Sequence, residues 1–208
     1  MELQLFGINH KTSKLSEREL FIINDSNQDD FINFFREEFG YFVESFFALS
    51  TCNRTEIYYF GEPETSILIA QKTLEFLGCD DYVRDSLYFF DDKAAIEHMC
   101  CVASGLDSQV LGEQEILGQF KKSVQNFTKL GLINKQLLKA TDEIISIAKA
   151  ARTETKVGYN PLSVSGLSLK IVQEIFEDPT QQKLTIVCAG QLAMKVIENF
   201  YENENIIK

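Results

Sequence analysis

The sequence has no tryptophan, only three prolines and two histidines, and no Cys-x-x-C pair. With His10 and His98 as the only histidines, a multi-histidine metal centre is nearly excluded. A site of one Cys, one His and carboxylates is left open, but no spacing supports it, and no metal is expected. The five cysteines, Cys52, Cys79, Cys100, Cys101 and Cys188, are odd in number and unpaired in pattern, which argues against a disulfide framework. No apolar run approaches the length of a membrane span. Met1 to Phe6 lacks the basic segment of a secretory signal. A cytoplasmic protein with no membrane association is therefore expected. Positive charge is also scarce, with 20 Lys and Arg against 31 Asp and Glu and a net charge of −11. Nonspecific nucleic-acid binding over the whole surface is thus disfavoured. The shortage is uneven: from Gln119 to Val157 eight basic residues stand against Asp142, Glu143 and Glu154. That stretch is either a solvated helix face or a local platform for phosphates.

The 208 residues, 45% of them hydrophobic, suffice for one good-sized domain or two small ones. Strands are expected at Glu2 to Asn9, Val43 to Leu49 and Glu56 to Phe60. Helices are expected at Leu15 to Ile23, Asp29 to Phe39, Glu64 to Leu77 and from Asp91 or Asp92 to about Ala103. Two longer helices follow, one from Glu113 to about Leu130 and one from Asn134 to about Lys156. Mixed strands and helices followed by helices predict an α+β domain, an antiparallel or mixed sheet covered by helices.

Cys52 stands where an apolar run breaks into Ser50-Thr51-Cys52-Asn53-Arg54 and then resumes. The thiol is placed on a short connection between two strands. Arg54 is close enough in sequence to favour a thiolate and to grip a carboxylate in a bidentate fork. A buried, inert cysteine is the other reading, and the immediate neighbours do not decide between them.

The last fifty residues change character. Ser163 to Phe176 reads as an amphipathic helix, Lys183 to Cys188 as a strand, and the residues after Gly190 as a helix to about Tyr201. Strand, glycine turn and helix is how a dinucleotide-binding unit begins. Against the template, Gly190 and Ala193 match, but Cys188 occupies the first glycine position. A single such unit cannot cover a parallel strand on both faces, so a larger protein cut short is expected.

A second cluster runs Gly105-Leu106-Asp107-Ser108-Gln109-Val110-Leu111-Gly112-Glu113-Gln114-Glu115-Ile116-Leu117-Gly118-Gln119. It packs glycines, small hydrogen-bonding groups and carboxylates into a helix entry, where backbone N–H groups favour an anion. Together with Gly7-Ile8-Asn9-His10-Lys11-Thr12-Ser13, Leu49 to Glu56 and Arg152-Thr153-Glu154-Thr155, in that order and spacing, it resembles glutamyl-tRNA reductase. The resemblance runs from residue 7 to about residue 200.

The resemblance implies a division into a catalytic, glutamyl-tRNA-recognising domain over 1–158 and the beginning of a Rossmann-like NADPH-binding domain over 159–208. It makes Cys52 the nucleophile that takes the glutamyl group from glutamyl-tRNA(Glu) as a thioester. NADPH then reduces the thioester to glutamate-1-semialdehyde, at the start of tetrapyrrole synthesis. His98 matches a histidine important for activity. Thr51, Asn53, Arg54, Ser108, Glu113, Gln114, Glu115 and Gln119 match substrate-recognition positions. Cys188, Ala189, Gly190, Gln191, Leu192 and Ala193 match the nucleotide turn, where the family resembles Gly-Ala-Gly-Glu-Met-Gly. The resemblance further implies a homodimeric full-length protein and glutamate-1-semialdehyde aminomutase as a partner for product transfer. Without a complete nucleotide domain, capture of the glutamyl group without reduction is expected. The competing expectation is a non-catalytic paralogue that binds glutamyl-tRNA or a reductase.

Overall fold

The computed structural model describes residues 2–79, 81–155, 157, 164–179, 182–187 and 190–202. Its centre is a four-stranded sheet in the order β2-β3-β1-β4, formed by β1 (Glu2–Asn9), β2 (Val43–Ser50), β3 (Arg54–Gly61) and β4 (Tyr88–Asp91). Every pairing is antiparallel. The two inner strands are buried at almost every position, because helices cover both faces of the sheet.

One face, carrying Phe6, Phe46 and Tyr59, meets α2 (Gln28–Phe39) through Phe31 and Phe35. Phe34 of α2 stacks at 4.5 Å on Phe76 of α3 (Ser66–Phe76). Much of the chain's phenylalanine is spent in this aromatic layer. The opposite face meets α5 (Asp92–Ser104) and α6 (Glu115–Lys129), with Phe120 set edge-on against Phe47 and Tyr58. Helix α7 (Lys135–Glu154) packs against both of these helices, and its start is capped by Asn134, whose Oδ1 accepts from Leu137 N at 2.9 Å. The expected α+β class with an antiparallel sheet is therefore present.

Several boundaries differ from expectation for clear reasons. Helix α1 spans Leu15–Leu20 and not Leu15 to Ile23. Phe21 and Ile23 both point into the core. Two residues apart on a helix they would face nearly opposite sides, so the chain extends there instead. Strand β4 and the short α4 (Asp81–Arg84) had no counterpart in the sequence reading. Four residues are too few for a period, and β4 exists because it pairs with β1. Helices α8 (Val164–Ile175) and α9 (Gln191–Glu202) pack together through Leu169 and Phe200. Between them, Lys183 to Val187 is assigned no strand among the described residues. Cys188, Ala189 and Gly158 lie outside the described residues. No helix among the described residues is long and apolar enough to cross a membrane.

Gly7, in the middle of the sheet, has a steric role. It pairs with Glu56 on one side and Tyr88 on the other. A Cβ there would lie 2.4 Å from Thr55 O and 2.8 Å from Glu56 Cγ. The missing side chain is what lets the groups of β3 and β4 meet across β1. Gly7→Ala is expected to lower stability by about 1–3 kcal/mol, read as a lower urea midpoint. An unchanged midpoint would show that the strand can shift without cost.

Candidate active site

The expected hairpin around Cys52 is present, and side chains hold it. Thr51, Cys52 and Asn53 connect β2 to β3, with Thr51 N donating to Arg54 O at 2.8 Å. Thr51 Oγ1 accepts from both Asn53 N and Arg54 N at 3.2 Å, the local hydroxyl-to-backbone turn expected of a threonine. His10 N donates to Asn53 O at 2.9 Å. Arg18 of α1 donates through Nε to Cys52 O at 3.4 Å and through Nη1 to Ser13 O at 2.7 Å. Cys52 itself is exposed. The nucleophile candidate is thus a solvent-facing thiol on a braced turn.

Beneath it lies a buried polar network centred on Glu56, which is fully buried. Arg54, Glu56 and Tyr58 alternate along β3 and so share one face. Glu56 accepts from Arg54 Nη1 at 2.9 Å, from His98 Nε2 at 2.7 Å, and from the hydroxyls of Tyr58 and Tyr88. Burial alone would raise the Glu56 carboxyl, but Arg54 and the other donors hold it at about 2. An ionised carboxylate only accepts, so His98 must carry its proton on Nε2. The His98 ring also stacks at 4.7 Å on Phe90. Burial and the neighbouring Glu56 both push the Tyr58 and Tyr88 hydroxyls well above their ordinary value, so both remain donors.

Arg54 is 1% exposed and bridges two carboxylates. Its Nη2 donates to Asp107 Oδ2 at 2.9 Å and to Asp107 O at 2.5 Å. Asp107 also pairs with Lys11. Burial opposes its ionisation, yet Lys11 and Arg54 keep its carboxyl below the ordinary range. Arg54 is therefore at the floor of the site and not on its open wall.

Arg152 of α7 ties the Gly105 to Glu113 turn down. Its Nε donates to Ser104 O at 3.1 Å and its Nη2 to Glu113 O. Gly105 closes α5 in the left-handed region at φ +82°, where a Cβ would meet Arg152 Nη2 at 2.9 Å. This turn carries Ser108, whose hydroxyl acts to lower the Glu113 carboxyl. Burial and then Glu115 raise the Glu113 carboxyl. Gln114, Glu115 and Gln119 are exposed at the start of α6, and Glu115 pairs with Lys195 of α9.

Although Cys52 is exposed, its thiol is partly desolvated by the surrounding chain, which pushes it up; Glu113 and then Glu115 add to this, and Arg18 is the cation that opposes it. The sequence suggested Arg54 for that role. It spends its donors on Glu56 and Asp107 instead. Alkylation of Cys52, followed by peptide mass spectrometry, is expected to have its pH midpoint above that of an ordinary thiol. Glu113→Gln removes a negative charge and is expected to move that midpoint down. A midpoint below the ordinary value in the wild type would refute this charge balance.

Residues 6–155 match the family model for the glutamyl-tRNA(Glu) reductase N-terminal domain. The chain belongs to that family. The solved glutamyl-tRNA reductase from Methanopyrus kandleri superposes with a TM-score of 0.68 at 26% identity, over 96% of this chain and 46% of that one. The chain therefore spans less than half the length of that reductase. Of the residues that the family's motifs single out, the structure brings Arg54 and His98 together on Glu56 and sets Glu113 and Glu115 near enough to act on the Cys52 thiol. Sequence reasoning missed Glu56, Tyr58, Tyr88, Asp107, Arg18 and Arg152 as parts of the site. For Glu56 a cue existed, since Arg54, Glu56 and Tyr58 at alternate positions of a buried strand put two charges on one covered face. Tyr88, on a strand too short to recognise, had none.

Proposed function

We propose that this chain is the glutamyl-accepting part of a glutamyl-tRNA reductase. The observation that carries the reading is the exposed thiol of Cys52 on a braced turn within the matched residues. Its Sγ attacks the ester carbonyl carbon of glutamyl-tRNA(Glu). The C–S bond forms and the C–O bond to the terminal ribose breaks. The thiol's proton leaves with the ribose hydroxyl.

The remaining residues take roles by chemistry. Glu113 and Glu115 suit the substrate's α-ammonium group, with Ser108, Gln114, Thr51 and Asn53 around it. Seating a cation there cancels the repulsion that Glu113 and Glu115 exert on a Cys52 thiolate. The thiol is then activated by the substrate it is to attack. Arg54 is the proposed partner of the glutamyl side-chain carboxylate, which reaches it where Asp107 gives way. His98 and Glu56 fix the orientation of Arg54 from below.

In the family resemblance NADPH supplies the hydride that turns the thioester into glutamate-1-semialdehyde. The described residues of the nucleotide turn do not form a cradle for it. A Cβ at Gly190 would meet nothing within 4 Å, and Leu192 is exposed. No hydride step is assigned to this chain's own residues. Water then releases glutamate from the Cys52 thioester. The test is incubation with glutamyl-tRNA followed by mass spectrometry of the acid-quenched protein. One glutamyl group on the Cys52 peptide is expected, and its absence from that peptide would overturn the reading.

The non-catalytic reading, a module that holds glutamyl-tRNA or a reductase, is favoured by one observation, the upward push on Cys52. The same mass measurement separates the two, because a pure binding module forms no adduct.

A further inference from the structure

We propose that the groove running from Thr51 along α6 seats the 3′-terminal nucleoside of the tRNA, the alcohol half of the ester whose acyl half goes to Cys52. The inference rests on the function proposed above. The groove is a cavity of about 330 Å³ walled by the chain from Ile22 to Gln28, the end of β2 and one side of α6. Thr51, one of its walls, precedes the nucleophile, so the groove opens beside the attacked carbonyl. It takes no wall from the Gly105 to Glu115 turn, which is assigned to the acyl group. An ester poised for attack needs two such compartments, because its acyl and alcohol parts leave the carbonyl carbon in different directions.

The lining fits a nucleoside better than a bare anion. Amides come from Asn24, Gln28, Gln119 and Asn126, over an apolar floor that includes Leu49. Amide side chains match the paired donor and acceptor of a base edge, and an apolar floor suits its flat face. Asn126 Nδ2 donates to Gln28 Oε1 at 3.4 Å, which sets the two amides side by side across the groove. Lys122 is the groove's cation and Asp25 its carboxylate; the phosphate 5′ of the nucleoside is assigned to Lys122.

The helix continues the theme. Gln119, Lys122, Asn126 and Lys129 recur at i, i+3, i+7 and i+10, a single stripe of α6 about 15 Å long. It begins one turn from Glu115 and becomes basic as it leaves the Cys52 hairpin. Of the basic residues in the 119–157 stretch, Lys122 lines the groove and Lys129 continues the same stripe.

An adenosine could also arrive as part of a dinucleotide, so the test has two arms. The isotope-labelled wild-type chain is titrated with the trinucleotide CCA and, separately, with NADP⁺, and backbone amide shifts are followed by NMR. CCA is expected to shift the segments 24–28 and 119–126, and Lys122→Glu to weaken its binding about tenfold. NADP⁺ is expected to leave those segments unmoved. Unshifted segments, equal affinity in Lys122→Glu, or NADP⁺ bound there instead would each overturn the proposal. CCA carries no ester, so this outcome does not depend on Cys52. A chain that binds CCA in the groove but is never acylated loses the proposed function alone. A chain that is acylated with the groove unmoved loses the groove alone.

Discussion

Cys52→Ser is expected to form no glutamyl adduct and to release glutamate from glutamyl-tRNA no faster than buffer alone. The loss relative to the wild-type chain should be on the order of a thousandfold or more, as for other enzymes deprived of their nucleophile. A serine hydroxyl needs a base beside it to attack an ester. The nearest candidate in the family's motifs, His98, is bound through Nε2–H to Glu56 and makes no hydrogen bond to Cys52 among the described residues. The substitution is expected to leave stability within about 0.5 kcal/mol of wild type, since the residue is exposed. Equal glutamate release by wild type and Cys52→Ser, followed with labelled glutamyl-tRNA, would remove the thioester from the proposal.

Glu56→Ala is expected to have the largest effect on folding. Removing one partner of a buried ion pair strands the other charge, which costs about 3–5 kcal/mol. Here Arg54 would keep only Asp107, and Tyr58, Tyr88 and His98 would each lose an acceptor. Urea unfolding should show the loss directly, and a change below about 1 kcal/mol would mean that water replaces the carboxylate. Glu56 also predicts a response to acid. Its carboxyl titrates at about 2 in the folded chain against about 4.3 when unfolded. Its stabilisation is complete above about pH 5 and is lost as the pH falls from there toward 2. Glu56→Gln should flatten that part of the acid-unfolding curve.

The sequence displayed those parts of the fold that are local. The helix expected at Asp29 to Phe39, the Asn134 cap and the polar break at Cys52 can each be read within a dozen residues, and each is found. Residues far apart in sequence decided the rest. The end of α1 is set by where Phe21 and Ile23 must point, and β4 by a partner some eighty residues earlier. The site divides in the same way. That Cys52 sits on a tight turn was legible, but the sign of the push on its thiol was not. That sign depends first on the partial burial of the thiol, then on Glu113 and Glu115 at the entry to α6, and on Arg54 being claimed by Glu56 and Asp107. A cation two residues away in sequence was the natural choice for stabilising the thiolate. Cys52 is on the turn and exposed, whereas Arg54 opens β3 on its covered face.

The convergence of four donors on Glu56 also bears on the order in which the chain assembles. Arg54 and Tyr58 are its neighbours along β3, but Tyr88 and His98 enter the chain 32 and 42 residues later. Closing those loops precedes any reward from the contacts they make. Until β4 docks on β1 and α5 covers the sheet, the β2-β3 hairpin presents an arginine and a glutamate that water must solvate. Dry burial of this face is therefore a late, all-or-none event. The surface that carries Cys52 cannot close around its charges until the last pieces of the domain are in place.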